Sequence, residues 1–215
     1  MMLWTWHATA LFLAVLAGLL GARQRRGSWR SLLLSAAIAG LVVGVPVAGW
    51  TLPSWLAGIG VTSSVTSICL LAAFVLGRLG GPVPLAAPAW RAAWWFGVIA
   101  GVALYPQPGL LALATLDPYS WGWGSLPFVL ALGLLSIGLL WRGNGFSLVL
   151  ALGVLAWNLR VLESANLWDY LTDPILTLFS LVMVTRAVWR RLARAGPNPE
   201  GTSVAVGAGA LARGR

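Results

Sequence analysis

From Leu3 to Val188 the chain is a succession of long apolar runs, each closed by a short polar break. This arrangement limits the folds open to it more than any motif does. The runs are Leu3–Ala22, Ser31–Trp50, Gly58–Gly77, Ala89–Tyr105, Gly124–Trp141, Phe146–Leu162 and Pro174–Val188, the last starting a few residues ahead of Pro174. A membrane-crossing helix needs roughly 20 residues, with about 17–25 tolerated, and several runs sit at the short end. Of the 215 residues, 59% are hydrophobic and 9% charged, against about 25% charged in soluble domains. A folded chain of this size still leaves much of its surface in water, so lipid is the simplest solvent for the excess. The expected fold class is all-α, a polytopic integral membrane bundle of about seven transmembrane helices over residues 1–194. The segment 195–215 is small, Pro- and Gly-bearing and without apolar periodicity, which predicts a disordered cytoplasmic tail.

Charge supports that expectation. All fourteen basic residues are Arg, and an excess of Arg marks the cytoplasmic ends of membrane helices. With seven spans and the N-terminus outside, every Arg except Arg160 falls inside, while Asp117, Glu163, Asp169 and Asp173 fall outside. Trp collects at membrane interfaces, and the fourteen Trp fall at the ends of the runs. The first run has no Arg ahead of it and three just after, the reverse of a cleavable signal; it reads as an uncleaved helix. The predicted location is a bacterial inner membrane.

The breaks carry local structure. "YPQPG" at 105–109 interrupts the fourth run, because Pro lacks the helical N–H. Residues 106–116 then form either a kinked continuation or a separate interfacial helix. "RGNG" at 142–145 is a tight turn that makes the flanking runs an antiparallel hairpin. Asp173–Pro174 reads as the start of the last helix, Asp capping free N–H groups and Pro taking the first helical position. Asp117–Pro118 in "LDPYSWGWG" reads as turn chemistry. Gly40/Gly44 and Gly97/Gly101 have the spacing that lets helix backbones approach closely. They face either neighbouring helices of the same bundle or a partner, whether another membrane protein or a second copy.

Candidate functional residues gather in "ESANLWDYLTDP" at 163–174, with three of the five acidic side chains. Arg160 and Glu163 are three apart and pair if one helix carries both. With Asn158, Asn166 and Asp169 they define a polar ligand-binding set in which the Arg160 fork suits phosphate or carboxylate. The bland alternative is an Arg reaching for the headgroups beside a neutralising Glu. Asp117 and Asp169 are the candidate catalytic pair, two carboxylates sharing a proton. "VTSSVTS" at 61–67 either lines a path or bonds its hydroxyls back to its own helix.

Counting removes other classes. One His, one Cys and no Lys leave no bis-His haem or His-rich zinc centre, no Schiff base and no phosphate loop with its Lys. No cofactor, metal or nucleic acid is expected, and the lone Cys69 forms no internal disulfide. Three functions stay open. The first is a non-catalytic subunit or accessory factor in envelope assembly or transport, presenting 158–173 to a partner. The second is a small transporter or flippase for an anionic or lipid-linked substrate. The third is an outer-face hydrolase or transferase using the two Asp residues on a lipid-linked substrate.

Overall fold

The computed structural model describes residues 62–78, 85–105 and 117–194, with scattered positions between 37 and 55. The first run, most of the second, the lone His7, Gly44, residues 106–116 and the tail 195–215 lie outside the described residues. The ordered elements are α1 (Val65–Arg78), α2 (Ala87–Leu104), a 3-10 helix (Pro118–Trp123), α3 (Leu126–Trp141), α4 (Phe146–Asn158), α5 (Trp168–Leu171) and α6 (Pro174–Arg194).

Apolar runs within the described residues do become helices, and the all-α class holds there. None of them becomes a span. Among the described residues no helix is long and apolar enough to cross a membrane. This overturns the expectation of a polytopic integral membrane bundle, and with it the reading of interior Arg, exterior acids and Trp belts. The cause is where the helices stop. At 1.5 Å per residue, α1 with its 14 residues is about 21 Å long and α4 with 13 about 20 Å, against a hydrocarbon thickness of roughly 30 Å. The 18 residues of α2 include Arg91 in a Trp-rich first half, and α6 carries Arg186, Arg190, Arg191 and Arg194 in its last turns.

The stops have local causes. The chain leaves α3 through Gly143 in the left-handed region (φ 63°). Asn144 N donates to Leu139 O and Gly143 N to Leu140 O, the paired bonds of a Schellman ending. Asn144 Oδ1 then accepts from Phe146 N at 3.1 Å and starts α4. The "RGNG" hairpin stands as expected. α4 ends in the same way, Val161 N donating to Ala156 O and Arg160 N to Trp157 O. Here the left-handed residue is Arg160 (φ 55°), where Gly is the usual choice. The sixth run therefore ends as a helix at Asn158, short of its expected Leu162, and α6 starts at Pro174 rather than ahead of it.

α4 is the hub, in contact with α1, α2, α3 and α5. Its Phe146, Val149 and Leu150 are buried with Leu70 and Ala73 of α1, Ala89 and Ala93 of α2, and Leu132 of α3. Gly97 and Gly101 bring α2 against α6. A Cβ on Gly97 would lie 2.3 Å from Ser180 Oγ, and one on Gly101 2.1 Å from Thr177 Cγ2. This pair is thus taken up inside the chain. Gly40 has nothing within 4 Å of such a Cβ. α3 buries only Leu132, and leaves Leu126, Leu130, Leu134, Ile137, Leu140 and Trp141 exposed. The apolar excess that suggests lipid thus stays on a helix surface without a span to hold it. By contacts the chain divides into Met1–Leu181 and Val182–Arg215. The described part of the second unit is the Arg-rich end of α6.

Candidate functional site

The segment between α4 and α6 is tied down mainly by side chains. Tyr170, fully buried, accepts at its hydroxyl from Leu162 N (3.0 Å) and donates to the carbonyls of Leu162 and Ser164 (2.9 and 3.0 Å). Burial pushes its phenol pKa up, with the Leu162 bond and Arg160 opposing and Asp169 adding to the rise. Trp157 Nε1 donates to Ala165 O at 2.8 Å. The loop is thereby fixed at two points by aromatic side chains.

Asn166, with no solvent exposure, joins this loop to the 3-10 helix. Its Oδ1 accepts from Trp168 N (2.9 Å) and its Nδ2 donates to Tyr119 O (3.0 Å). Leu167 N donates to Gly122 O and Trp168 Nε1 to Pro118 O, both at 2.8 Å. The fit depends on Gly122, because a Cβ there would stand 1.8 Å from Asn166 Oδ1. The Trp168 ring lies 4.4 Å from that of Phe128. Buried amides this fully bonded hold one arrangement, since any slip leaves a polar group unpaired.

Across this joint Tyr119 Oη donates to both carboxylate oxygens of Asp169 (3.2 and 3.1 Å), and Ser164 Oγ donates to Oδ2. Burial first, then the Asp169 charge and the hydrogen bond to it, push the Tyr119 phenol up to about 12. Asp117 lies at the other end of the same turn. Its Oδ1 accepts from Tyr119 N and Ser120 N, so it caps the 3-10 helix, as its turn setting suggested.

Asp173 is 3% exposed. Its Oδ1 accepts from Leu176 N at 2.7 Å, so it caps α6 as expected. Its Oδ2 accepts from Ser64 N (2.7 Å) and Ser67 Oγ (2.5 Å), at the start of α1. One carboxylate therefore faces two helix N-termini, where partial positive charge gathers. The hydroxyls of "VTSSVTS" have a use that neither sequence reading foresaw: Ser67 binds Asp173, and Thr66 Oγ1 reaches Tyr170 O at 3.4 Å.

Asp169 and Asp173 both line a cavity of about 170 Å³, walled also by Tyr105, Tyr119, Trp168 and Thr172. Burial chiefly raises the Tyr105 pKa, with Asp173, Asp169 and Tyr119 adding to it. Thr172 is 4% exposed, and its Oγ1, closed off from water, has no hydrogen-bond partner among the described residues.

Of the expected ligand-binding set, the structure gathers Asn166 and Asp169 and separates the rest. Asn158, Arg160 and Glu163 are exposed and absent from the cavity wall. Because α4 ends at Asn158, Arg160 and Glu163 share no helical face, and no ion pair joins them among the described residues. Arg160 lies over the Trp157 ring instead, 5.9 Å from its centroid. Asp117 and Asp169 are on either side of Tyr119, and no bond links their carboxylates among the described residues. Sequence reasoning missed Tyr119, Ser164, Thr172 and Tyr105. Only the position of Tyr119 directly after Asp117–Pro118 signals anything locally. No group of three or more His, Cys, Asp or Glu suited to a metal ion occurs among the described residues. No protein-family model, curated protein or solved structure matches the chain.

Proposed function

We propose that this protein is a non-catalytic binding or accessory factor, and that it recognises a small polar ligand in the cavity between the 3-10 helix and the 164–173 segment. The observation that carries this reading is Asp169. Its carboxylate is held by Tyr119 and Ser164 on the wall of a ready-made cavity. Among the described residues two hydrogens reach it, and a carboxylate offers about four acceptor directions, so it keeps capacity for a ligand. The Asn166 joint supports the reading because it fixes both walls before a ligand arrives, which lowers the ordering cost of binding. An acid–base pair draws no such support. Asp117 is committed as a cap and Asp173 to two helix starts, and neither is bonded to Asp169.

A ligand that binds only the folded chain raises its stability by about 2.7 kcal/mol at a hundred times its Kd. Thermal shifts with small amines, carboxylates and inorganic phosphate should therefore reveal at least one stabilising class. In Gly122→Ala, which drives a methyl into Asn166 Oδ1, the shift should vanish. No shift with any class would remove the reading.

A further inference from the structure

The side chains at the end of α6 are sorted by kind. The stretch from Val182 to Arg194 is the described part of the second unit. Val182, Thr185, Val188, Trp189 and Leu192 are exposed there, and so are Arg186, Arg190, Arg191 and Arg194. At 3.6 residues per turn, the first five fall within an arc of roughly 120°. The four Arg occupy an arc of roughly 140° on the opposite side.

Each arc asks for something different. Trp189 is 73% exposed and Leu192 65%; large apolar groups gathered in one stripe, rather than scattered singly, mark a contact surface. No carboxylate lies between Val182 and Arg194, so the four guanidinium groups have no counter-charge on their own stretch of helix. The partner that satisfies both arcs is apolar below and anionic above. Nucleic acid would take the Arg arc and leave Trp189 and Leu192 in water. A groove in an acidic protein would take the stripe, but Arg186 and Arg191 stand on its two margins and would be drawn in with it. At a lipid surface the stripe enters the acyl boundary, while the flanking Arg stems lie along it and their heads reach phosphate. Indole rings favour that same depth.

We infer that Val182–Arg194 is an amphipathic anchor that lies in the plane of an anionic phospholipid surface, with Trp189 and Leu192 facing the lipid and the four Arg at headgroup level. At 1.5 Å per residue the stretch is about 20 Å long, and lying flat it asks for no span. This surface is separate from the cavity, so the assignment stands or falls without the binding function proposed above.

Flotation of the full chain tests this with two kinds of vesicle, phosphatidylcholine alone and equal parts of phosphatidylcholine and phosphatidylglycerol. Binding should favour the anionic vesicles and fall with added salt. One Arg near an anionic surface contributes about fivefold to partitioning, so Arg190→Gln with Arg194→Gln should weaken binding roughly twenty-five-fold. Trp189→Ala should weaken it about tenfold. The deciding variant is Arg190→Leu with Leu192→Arg, which keeps net charge and composition but puts a guanidinium inside the stripe. It should lose about tenfold or more. All these side chains are exposed, so melting temperatures should hold. Trp189→Ala and the exchange act independently, and one that fails to fold leaves the other decisive. If the exchanged variant binds as wild type does, charge alone acts and the anchor is overturned. Vesicle binding that no variant changes places the lipid contact elsewhere in the chain and overturns it too. Binding to a DNA duplex but to neither vesicle, or to none of the three, has the same consequence.

Discussion

Replacing Asp173 should test the fold and the site together, because this one carboxylate closes two helices 109 residues apart in the chain. In Asp173→Ala, α6 loses the cap on Leu176 N, worth about 1 kcal/mol. At the start of α1, Ser64 N and Ser67 Oγ lose an ionised acceptor. Both residues are almost fully buried, 0% and 3% exposed, so water does not readily replace it. A hydrogen bond to a charged group contributes about 1.5–3 kcal/mol, and an orphaned buried donor costs about 1–3. Ser67 Oγ already accepts from Ser64 Oγ at 3.2 Å, and reversing that bond moves the unpaired hydroxyl to Ser64, so counting one lost bond in full gives a lower bound. The total comes to about 3–4 kcal/mol, a large part of the 5–15 kcal/mol that stabilises a typical domain. Asp173→Asn separates the two parts. Its amide oxygen still caps α6, while its NH2 faces the Ser64 N–H, so the cost should fall to about 2 kcal/mol. Urea unfolding followed by helical circular dichroism measures both variants, and a double-mutant cycle with Ser67→Ala isolates the coupling across the two helices. A cost below about 1 kcal/mol for Asp173→Ala, or Asn indistinguishable from wild type, would refute the two-helix clamp.

Three further outcomes are expected. On α3, Leu132→Glu places a charge at a position 5% exposed and should cost about 3 kcal/mol or more. Leu134→Glu, at 70% exposure, should stay within about 0.5 kcal/mol; a large loss in Leu134→Glu on chemical unfolding would show that this face is covered. Arg160→Gly relieves a left-handed Arg but gives up the Trp157 contact, so it should be more stable than Arg160→Ala by about 1 kcal/mol; equal melting temperatures would count against the Schellman assignment. The Tyr119 phenol is raised from 10.0 to about 12, so its contribution is complete below about pH 10 and is lost as pH rises toward 12. All three phenols are raised, so spectrophotometric titration should show late tyrosines only, one of which moves part of the way back in Asp169→Asn while burial keeps it above 10, and no change there would dissociate Tyr119 from Asp169.

Much of the described secondary structure is legible locally. Asp173–Pro174 announces a helix start and "RGNG" a helix end, because caps and turns are satisfied by atoms within a few residues. The end of α4 is not legible in the same way, since its left-handed position holds Arg160 and nothing in "NLRVLE" resembles a stop. That hidden stop removed the Arg160–Glu163 pair and split the expected polar set. Nor could apolar run length tell a buried helix from a span. α4 is nearly as apolar as a span, and its 13 residues are used to touch four neighbours instead.

The sequence by itself marked local starts and turns such as Asp117–Pro118, "RGNG" and Asp173–Pro174, because backbone hydrogen bonds and capping act over three or four positions. The tertiary structure alone decided what surrounds the helices and which polar groups meet. Tyr119 reaches Asp169 across 50 residues and Ser64 reaches Asp173 across 109. Such meetings depend on packing, which close approaches such as Gly122 against Asn166 permit and no local pattern of residues records.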